Sequence, residues 1–133
     1  MNLILFTSGI SWDQPRDIYV MNGDGTNIRR LTNGPGSNQA AVFSPDGSKI
    51  AFTSNRSGTW YIYTMNIDGT NLQQLAAPGD WENLDWSSND RIVYVCSSMV
   101  ICVMNADGTN KQQLTTSWSK EPKWSQDGTK IVF

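Results

Sequence analysis

At 133 residues the chain is long enough for one ordinary domain, and its composition is globular, with 38% hydrophobic and 17% charged residues. The net charge of −2 and the lack of any Lys/Arg run exclude the basic footprint of a nucleic-acid binder, and no apolar stretch reaches the ~18 residues of a membrane span. There is no histidine, so neither a Ser-His-Asp or Cys-His catalytic site nor a His-ligated metal can exist within this chain.

The first element is the apolar run Leu3-Ile-Leu-Phe6. It lacks the basic start, long apolar core and small-residue cleavage site of a signal peptide. The chain as it stands therefore reads as cytoplasmic, or as periplasmic if a leader has been removed. The next elements repeat. Ile18-Tyr-Val-Met-Asn22 recurs as Ile62-Tyr-Thr-Met-Asn66 and Ile101-Cys-Val-Met-Asn105, and each is followed by Asp-Gly-Thr-Asn ending at Asn27, Asn71 and Asn110. A second unit alternates with it: Phe43-Ser-Pro-Asp-Gly-Ser-Lys-Ile-Ala-Phe52, Trp86-Ser-Ser-Asn-Asp-Arg-Ile-Val-Tyr94 and Trp124-Ser-Gln-Asp-Gly-Thr-Lys-Ile-Val-Phe133. Met21, Met65 and Met104 lie 44 and 39 residues apart, which fits the ~40–45 residue period of a propeller blade.

Each repeat reads as four short strands, A to D. Strand A ends at Phe43, Trp86 or Trp124. Strand B is Lys49 to Thr53, Arg91 to Cys96, or Lys130 to Phe133, with Leu3 to Phe6 as a further copy. Strand C is Asp17 to Met21, Tyr61 to Met65, or Val100 to Met104. Strand D is Asn27 to Thr32, Asn71 to Ala76, or Asn110 to Thr115. The fold class is all-β: antiparallel four-stranded propeller blades, about three per chain. Strands B-C-D occupy 1–33, full blades 37–77 and 80–116, and strands A-B 119–133. Strands such as Ile92-Val-Tyr-Val95 are apolar on both parities, as stacked sheets require. Asp-Gly in each C–D turn supplies residues that tolerate positive φ. Ser87-Ser-Asn-Asp90 is one residue shorter than Ser44-Pro-Asp-Gly-Ser48 and lacks Pro and Gly, so a tighter turn is expected there. Cys96 and Cys102, on a hairpin with Ser97-Ser98 at its tip, would point to opposite sheet faces as small buried groups.

The pattern aromatic-Ser-Pro-Asp-Gly-x-Lys-Ile-Ala-Phe, then Ile-Tyr-x-Met-Asn-x-Asp-Gly-Thr-Asn, then Leu, resembles the propeller repeats of TolB and related bacterial envelope proteins. It covers nearly the whole chain. The resemblance implies a propeller scaffold of six blades in the full family. Similar blades also form the gating propeller of prolyl-oligopeptidase-like peptidases. An arc of three blades does not close a ring, so the expectation is a homodimer completing six blades, or else a piece of a longer propeller. In the dimer the strand around Lys120 to Trp124 would supply the partner's missing strand A, and Leu3–Phe6 and Ile131–Phe133 compete for one strand B slot.

Alternating strands place the A–B and C–D turns on one face of the ring and the B–C and D–A loops on the other. Four tryptophans fall in the second set, Trp12 and Trp60 in B–C loops and Trp81 and Trp118 in D–A loops. Asn38, Gln39, Glu82, Asn83, Lys120 and Glu121 enter strand A on the same face, toward the central channel. These ten residues are the candidate binding surface, because loop Trp suits recognition; the competing reading is that the rings merely pack over the blade tops. The Asn-x-Asp-Gly-Thr-Asn loops read as hairpin turns rather than calcium loops. Ser117-x-x-Lys120 is a chance fit to a serine–lysine motif, Asn55-Arg-Ser57 a formal glycosylation acceptor, and Asp80, Glu82, Asp85 and Glu121 the acidic cluster nearest the channel. No cofactor and no catalytic residue are expected. The function read from this is a non-enzymatic module that binds a protein partner. The alternatives are a small-ligand or carbohydrate binder, and an accessory gating propeller of a peptidase.

Overall fold

Runs of β-branched and aromatic residues between Asp-Gly turns and serine-led A–B turns fold into thirteen strands, with no helix among the described residues. The structure is a computed structural model and describes residues 2–11, 14–78 and 82–133. The first sheet holds β1 (Leu3–Ser8), β2 (Asp17–Asn22) and β3 (Arg29–Arg30). The second holds β4 (Asn38–Phe43), β5 (Lys49–Ser54), β6 (Tyr61–Asn66) and β7 (Gln73–Ala76). The third holds β8 (Leu84–Trp86), β9 (Arg91–Cys96), β10 (Val100–Asn105) and β11 (Gln112–Gln113). The last pairs β12 (Lys123–Trp124) with β13 (Ile131–Val132). Every sheet is an antiparallel meander, so the sheets are blades in the order B-C-D, A-B-C-D, A-B-C-D, A-B.

The C–D turns are built alike three times. Asn22 N–H bonds the Thr26 carbonyl (2.9 Å) and Gly25 N–H the Asn22 carbonyl (2.9 Å), while Asp24 Oδ1 accepts from Thr26 N–H (3.0 Å) and Thr26 Oγ1 (2.6 Å). The same bonds recur around Asp68 and Asp107. Positive φ falls on Gly25 (83°) and on Asn27 (54°), not on the aspartate, whose carboxylate instead ties the turn together. The left-handed asparagine also explains why the D strands begin later than the sequence suggests. Extension cannot resume until two residues beyond Asn27, Asn71 or Asn110, so β3, β7 and β11 are short and lie at the outer rim. Short rim strands leave little exposed edge for unwanted pairing.

The A–B turns hold to the same chemistry. Ser44 N–H bonds the Lys49 carbonyl (2.9 Å), whereas Ser87 N–H bonds the Arg91 carbonyl (2.8 Å), so the third blade's turn is one residue tighter, with Asp90 at φ 57° taking the glycine's place. Ser48 N–H, then the Ser44 and Ser48 hydroxyls, hold the Asp46 carboxyl at about 2; the Ser125 hydroxyl, then Thr129 N–H and hydroxyl, do the same for Asp127. Asp24, Asp68 and Asp107 are lowered by their threonines. A carboxyl whose folded pKa lies below its unfolded value of about 3.9 adds stability above that value and loses it as pH falls toward the folded one. Acidification from about pH 4 to pH 2 is therefore expected to lower the melting temperature. The Asp46→Ala/Asp127→Ala variant should show a shallower slope over the same window, as read by thermal melts at closely spaced pH values.

The core lies between sheets. Ile18 of the first blade meets Ile50, Phe52, Tyr63 and Met65 of the second, with Leu5 and Leu31 packed alongside. Ala51, Ile62 and Ala76 meet Leu84, Trp86, Ile92, Tyr94, Cys102 and Met104 of the third. Val93, Val95, Ile101 and Val103 then receive Trp124 and Ile131 of the last. This burial on both faces is why the B and C strands are apolar on both parities. Trp86 donates its indole N–H to Asp90 (3.1 Å); the corresponding position beside Trp124 is Gly128, and the buried Trp124 Nε1 has no partner.

One expectation is overturned. Cys96 and Cys102 do not point to opposite faces; they form a disulfide, with Cα atoms 5.8 Å apart. The hairpin tip has three residues rather than two, with Ser98 and Met99 at φ 70° and 56°, so Cys96 pairs with Val100 and Tyr94 with Cys102. That register puts both sulfurs on the face toward the second blade.

Candidate functional site

Strand A of the second blade is entered through a bulge, and the segment leading into β12 carries the same left-handed residue. In β4 the register shifts between Gln39 and Val42, and Ala40 stands at φ 51°. Glu121, three residues before Trp124 as Ala40 is before Phe43, has φ 53°. A non-glycine residue in the left-handed region persists only where its surroundings hold it, and here the bulge re-aims the start of strand A.

Asn38, at the head of β4, is 2% exposed and joins the first two blades. Its amide donates to the Arg16 carbonyl (3.0 Å) and Asp17 Oδ1 (3.3 Å), and its oxygen accepts from Arg56 Nη2 (2.8 Å). The Arg56 guanidinium lies over the Phe52 and Tyr63 rings at 5.3 and 5.2 Å and donates to Ser54 Oγ (3.1 Å). Asp17 also accepts from Thr32 Oγ1 (2.8 Å) and pairs with Arg30. Asn38 is thus an inter-blade clasp rather than a ligand-facing group.

Beside the clasp an open cleft of about 370 Å³ is lined by Gln14, Pro15, Arg16, Gly36, Ser37, Gln39, Asn55 and Glu82. These come from two B–C loops, two D–A loops and the start of β4, so the second face is assembled as the strand alternation requires. Of the ten sequence candidates, Gln39 and Glu82 line this cleft. Trp118 is 67% exposed, and Lys120 Nζ sits 5.2 Å from its ring, as a separate pair. Trp60 and Asn83 are half-buried, and Glu121 is exposed. Trp12 and Trp81, with Asp80, lie outside the described residues. Asp85 accepts from the Trp124 backbone N–H (2.8 Å), which spends it on joining β8 to β12. Sequence reasoning missed Gln14, Arg16, Ser37 and Asn55. Their signal was position alone: each sits within a few residues of a strand A or strand C start on the loop face.

The larger polar groove, about 450 Å³, lies between the second and third blades on the opposite face, among Asp46, Lys49, Trp86, Asp90, Asn105 and Asp107. Asp46 and Asp107 are already tied into their turns there, and Asp90 accepts the Trp86 indole N–H, so the groove is built from scaffold chemistry.

Comparison with known proteins agrees with this geometry. The TolB beta propeller domain family matches residues 6–133. The chain is 26% identical to TolB from Acinetobacter baumannii in its crystal structure, with a TM-score of 0.77 over 99% of this chain and 34% of that one. It is 50% identical over 42 residues to the Tol-Pal system protein TolB of Bordetella pertussis, covering 31% of this chain and 10% of the relative. It is 36% identical over 85 residues to the uncharacterized protein Atu1656 of Agrobacterium fabrum, covering 62% of this chain and 29% of the relative. The chain therefore spans less than a third of the length of these curated relatives. With four meandering sheets and a family match over nearly its whole length, the chain belongs to the TolB beta propeller domain family.

Proposed function

We propose that the chain is a non-catalytic interaction propeller that engages a protein partner on its B–C and D–A loop face. The observation that carries this reading is the cleft in which Arg16, Gln39, Asn55 and Glu82, from three successive blades, converge beside a rigid inter-blade clasp. Trp118, exposed in a D–A loop, adds an aromatic group of the kind that dominates protein interfaces. The Tol-Pal name of the Bordetella relative makes a Pal-type protein the first partner to test. The working form is a ring whose open flanks are closed by a second copy of the chain.

Titration calorimetry against a Pal-type protein tests this. Arg16→Glu and Trp118→Ala are each expected to weaken binding about tenfold or more while leaving the circular dichroism spectrum unchanged. Wild-type protein that ignores the Pal-type protein would remove this reading. Saturable quenching of its tryptophan fluorescence by an oligosaccharide would replace it with a carbohydrate-binding one.

A further inference from the structure

The groove on the turn face, between the two complete blades, lies where the chain departs from its own repeat. Thr64 lines it and pairs across the ladder with Ala51. The same cross-strand pair is Leu5 with Val20 in the first blade and Val93 with Val103 in the third. Ala51 and Ile62 pack toward the third blade, and Thr64, two residues on from Ile62, faces the same way. The Ala–Thr pair therefore removes bulk from this face and puts a hydroxyl where the other blades carry a methyl group. The A–B turn opposite, Ser87 to Asp90, is the shortened one. At the next blade junction the A–B turns are joined, since Asn89 Nδ2 donates to the Gly128 carbonyl (3.3 Å). Between the second and third blades about 450 Å³ stays open.

Thr64 is only 5% exposed, and its hydroxyl has no hydrogen-bond partner among the described residues. A buried hydroxyl without a partner is costly, and valine fills the same position twice in this chain without that cost. The walls above it are acidic. Asp46, Asp90 and Asp107 line the groove against a single cation, Lys49. The turn bonds of Asp90 and Asp107 all fall on Oδ1, which leaves Oδ2 of each for a ligand. No three carboxylates among the described residues converge closely enough to hold one metal ion. The charge therefore suits a cation, and the spacing suits one with several N–H donors rather than a bare ion. Trp86 lines the same groove, and an aromatic side chain favours an ammonium group beside it.

We propose that this groove binds a primary alkylammonium group, which donates to the Thr64 hydroxyl at the floor and pairs with Oδ2 of Asp90 and Asp107 at the walls. The site lies on the face opposite the B–C and D–A loops and does not depend on the protein-binding reading of that face. Its ligand is either a free amine or the side chain of a lysine, and both carry the same recognised group.

Titration calorimetry of the 133-residue chain at low salt is the test, with 1,4-diaminobutane as one probe and Nα-acetyl-lysine amide as the other. Saturable binding of at least one is expected, and the tighter of the two says whether the amine is free or carried on a polypeptide. Thr64→Val restores the residue that Val20 and Val103 hold, and Asp90→Asn keeps an acceptor for the Trp86 indole. Each should weaken binding about tenfold with the β-sheet spectrum retained. Asp90→Asn decides alone if Thr64→Val fails to fold. Asp24→Asn makes the same charge change in the first blade's turn, away from the groove, and should leave binding unchanged. The proposal is overturned if neither probe saturates, if calcium chloride binds in place of both, or if a folded Thr64→Val or Asp90→Asn variant keeps full affinity. Equal losses in Asp24→Asn and Asp90→Asn would overturn it too, because they would reduce the binding to general charge attraction.

Discussion

Phe52→Ala should destabilise the fold by about 3–5 kcal/mol, enough to leave much of a marginal protein unfolded at room temperature. Phe52 is fully buried at the centre of the contact between the first two blades. Its ring stacks on Tyr63 at 5.8 Å and lies under the Arg56 guanidinium. Truncation removes the transfer free energy of the ring and leaves a cavity that two facing sheets, each pinned by its own ladder, cannot collapse to fill. It also strips one of the two rings from beneath Arg56, a partly desolvated cation. Urea unfolding at fixed protein concentration measures the loss. Phe52→Leu, which keeps most of the volume, should cost no more than about 1–2 kcal/mol. Equal losses for the two variants would mean that the inter-blade space relaxes freely, contrary to the packing described above.

The repeat made the scaffold legible. Each Met-Asn-x-Asp-Gly-Thr-Asn unit carries its own turn chemistry, and local chemistry survives transfer from sequence to structure. The shorter third A–B turn was readable for the same reason: deleting one residue from a hairpin leaves few ways to close it. What was not legible depended on geometry between elements. The parity of Cys96 and Cys102 turned on whether the hairpin tip holds two residues or three, and nothing in Cys-Ser-Ser-Met-Val announces that Met99 will take a left-handed conformation. The loop face was placed correctly by strand alternation. The cleft within it was not, because Arg16, Ser37 and Asn55 have ordinary identities and gain meaning only when two D–A and two B–C loops converge. Tryptophan drew attention as the costliest residue to leave in water. In the structure Trp118 keeps apart from the cleft, stacked with Lys120.

Asn38→Ala should cost about 2–3 kcal/mol and should misalign the loop-face cleft as well. The substitution deletes one buried acceptor and one buried donor group at once. It leaves Arg56 Nη2 without its amide partner, and the Arg16 carbonyl with only the backbone N–H of residue 38 (2.8 Å). Leaving buried polar groups unmatched is more costly than the net worth of the bonds they made. Arg56→Ala alone should cost a similar amount, since it removes the cation from two aromatic faces and frees the Asn38 oxygen. The double variant should lose less than the sum of the two, by about 1 kcal/mol or more, because the second truncation removes a group that the first had already orphaned. Simple additivity would mean that the two side chains act independently. Because Arg16 is held on one side of the cleft by Asn38 and Asn55 on the other by the Ser37 backbone N–H (2.6 Å), the clasp sets the width of that opening. Asn38→Ala should therefore weaken partner binding under conditions where the fold is intact, although Asn38 is too deeply buried to touch a partner.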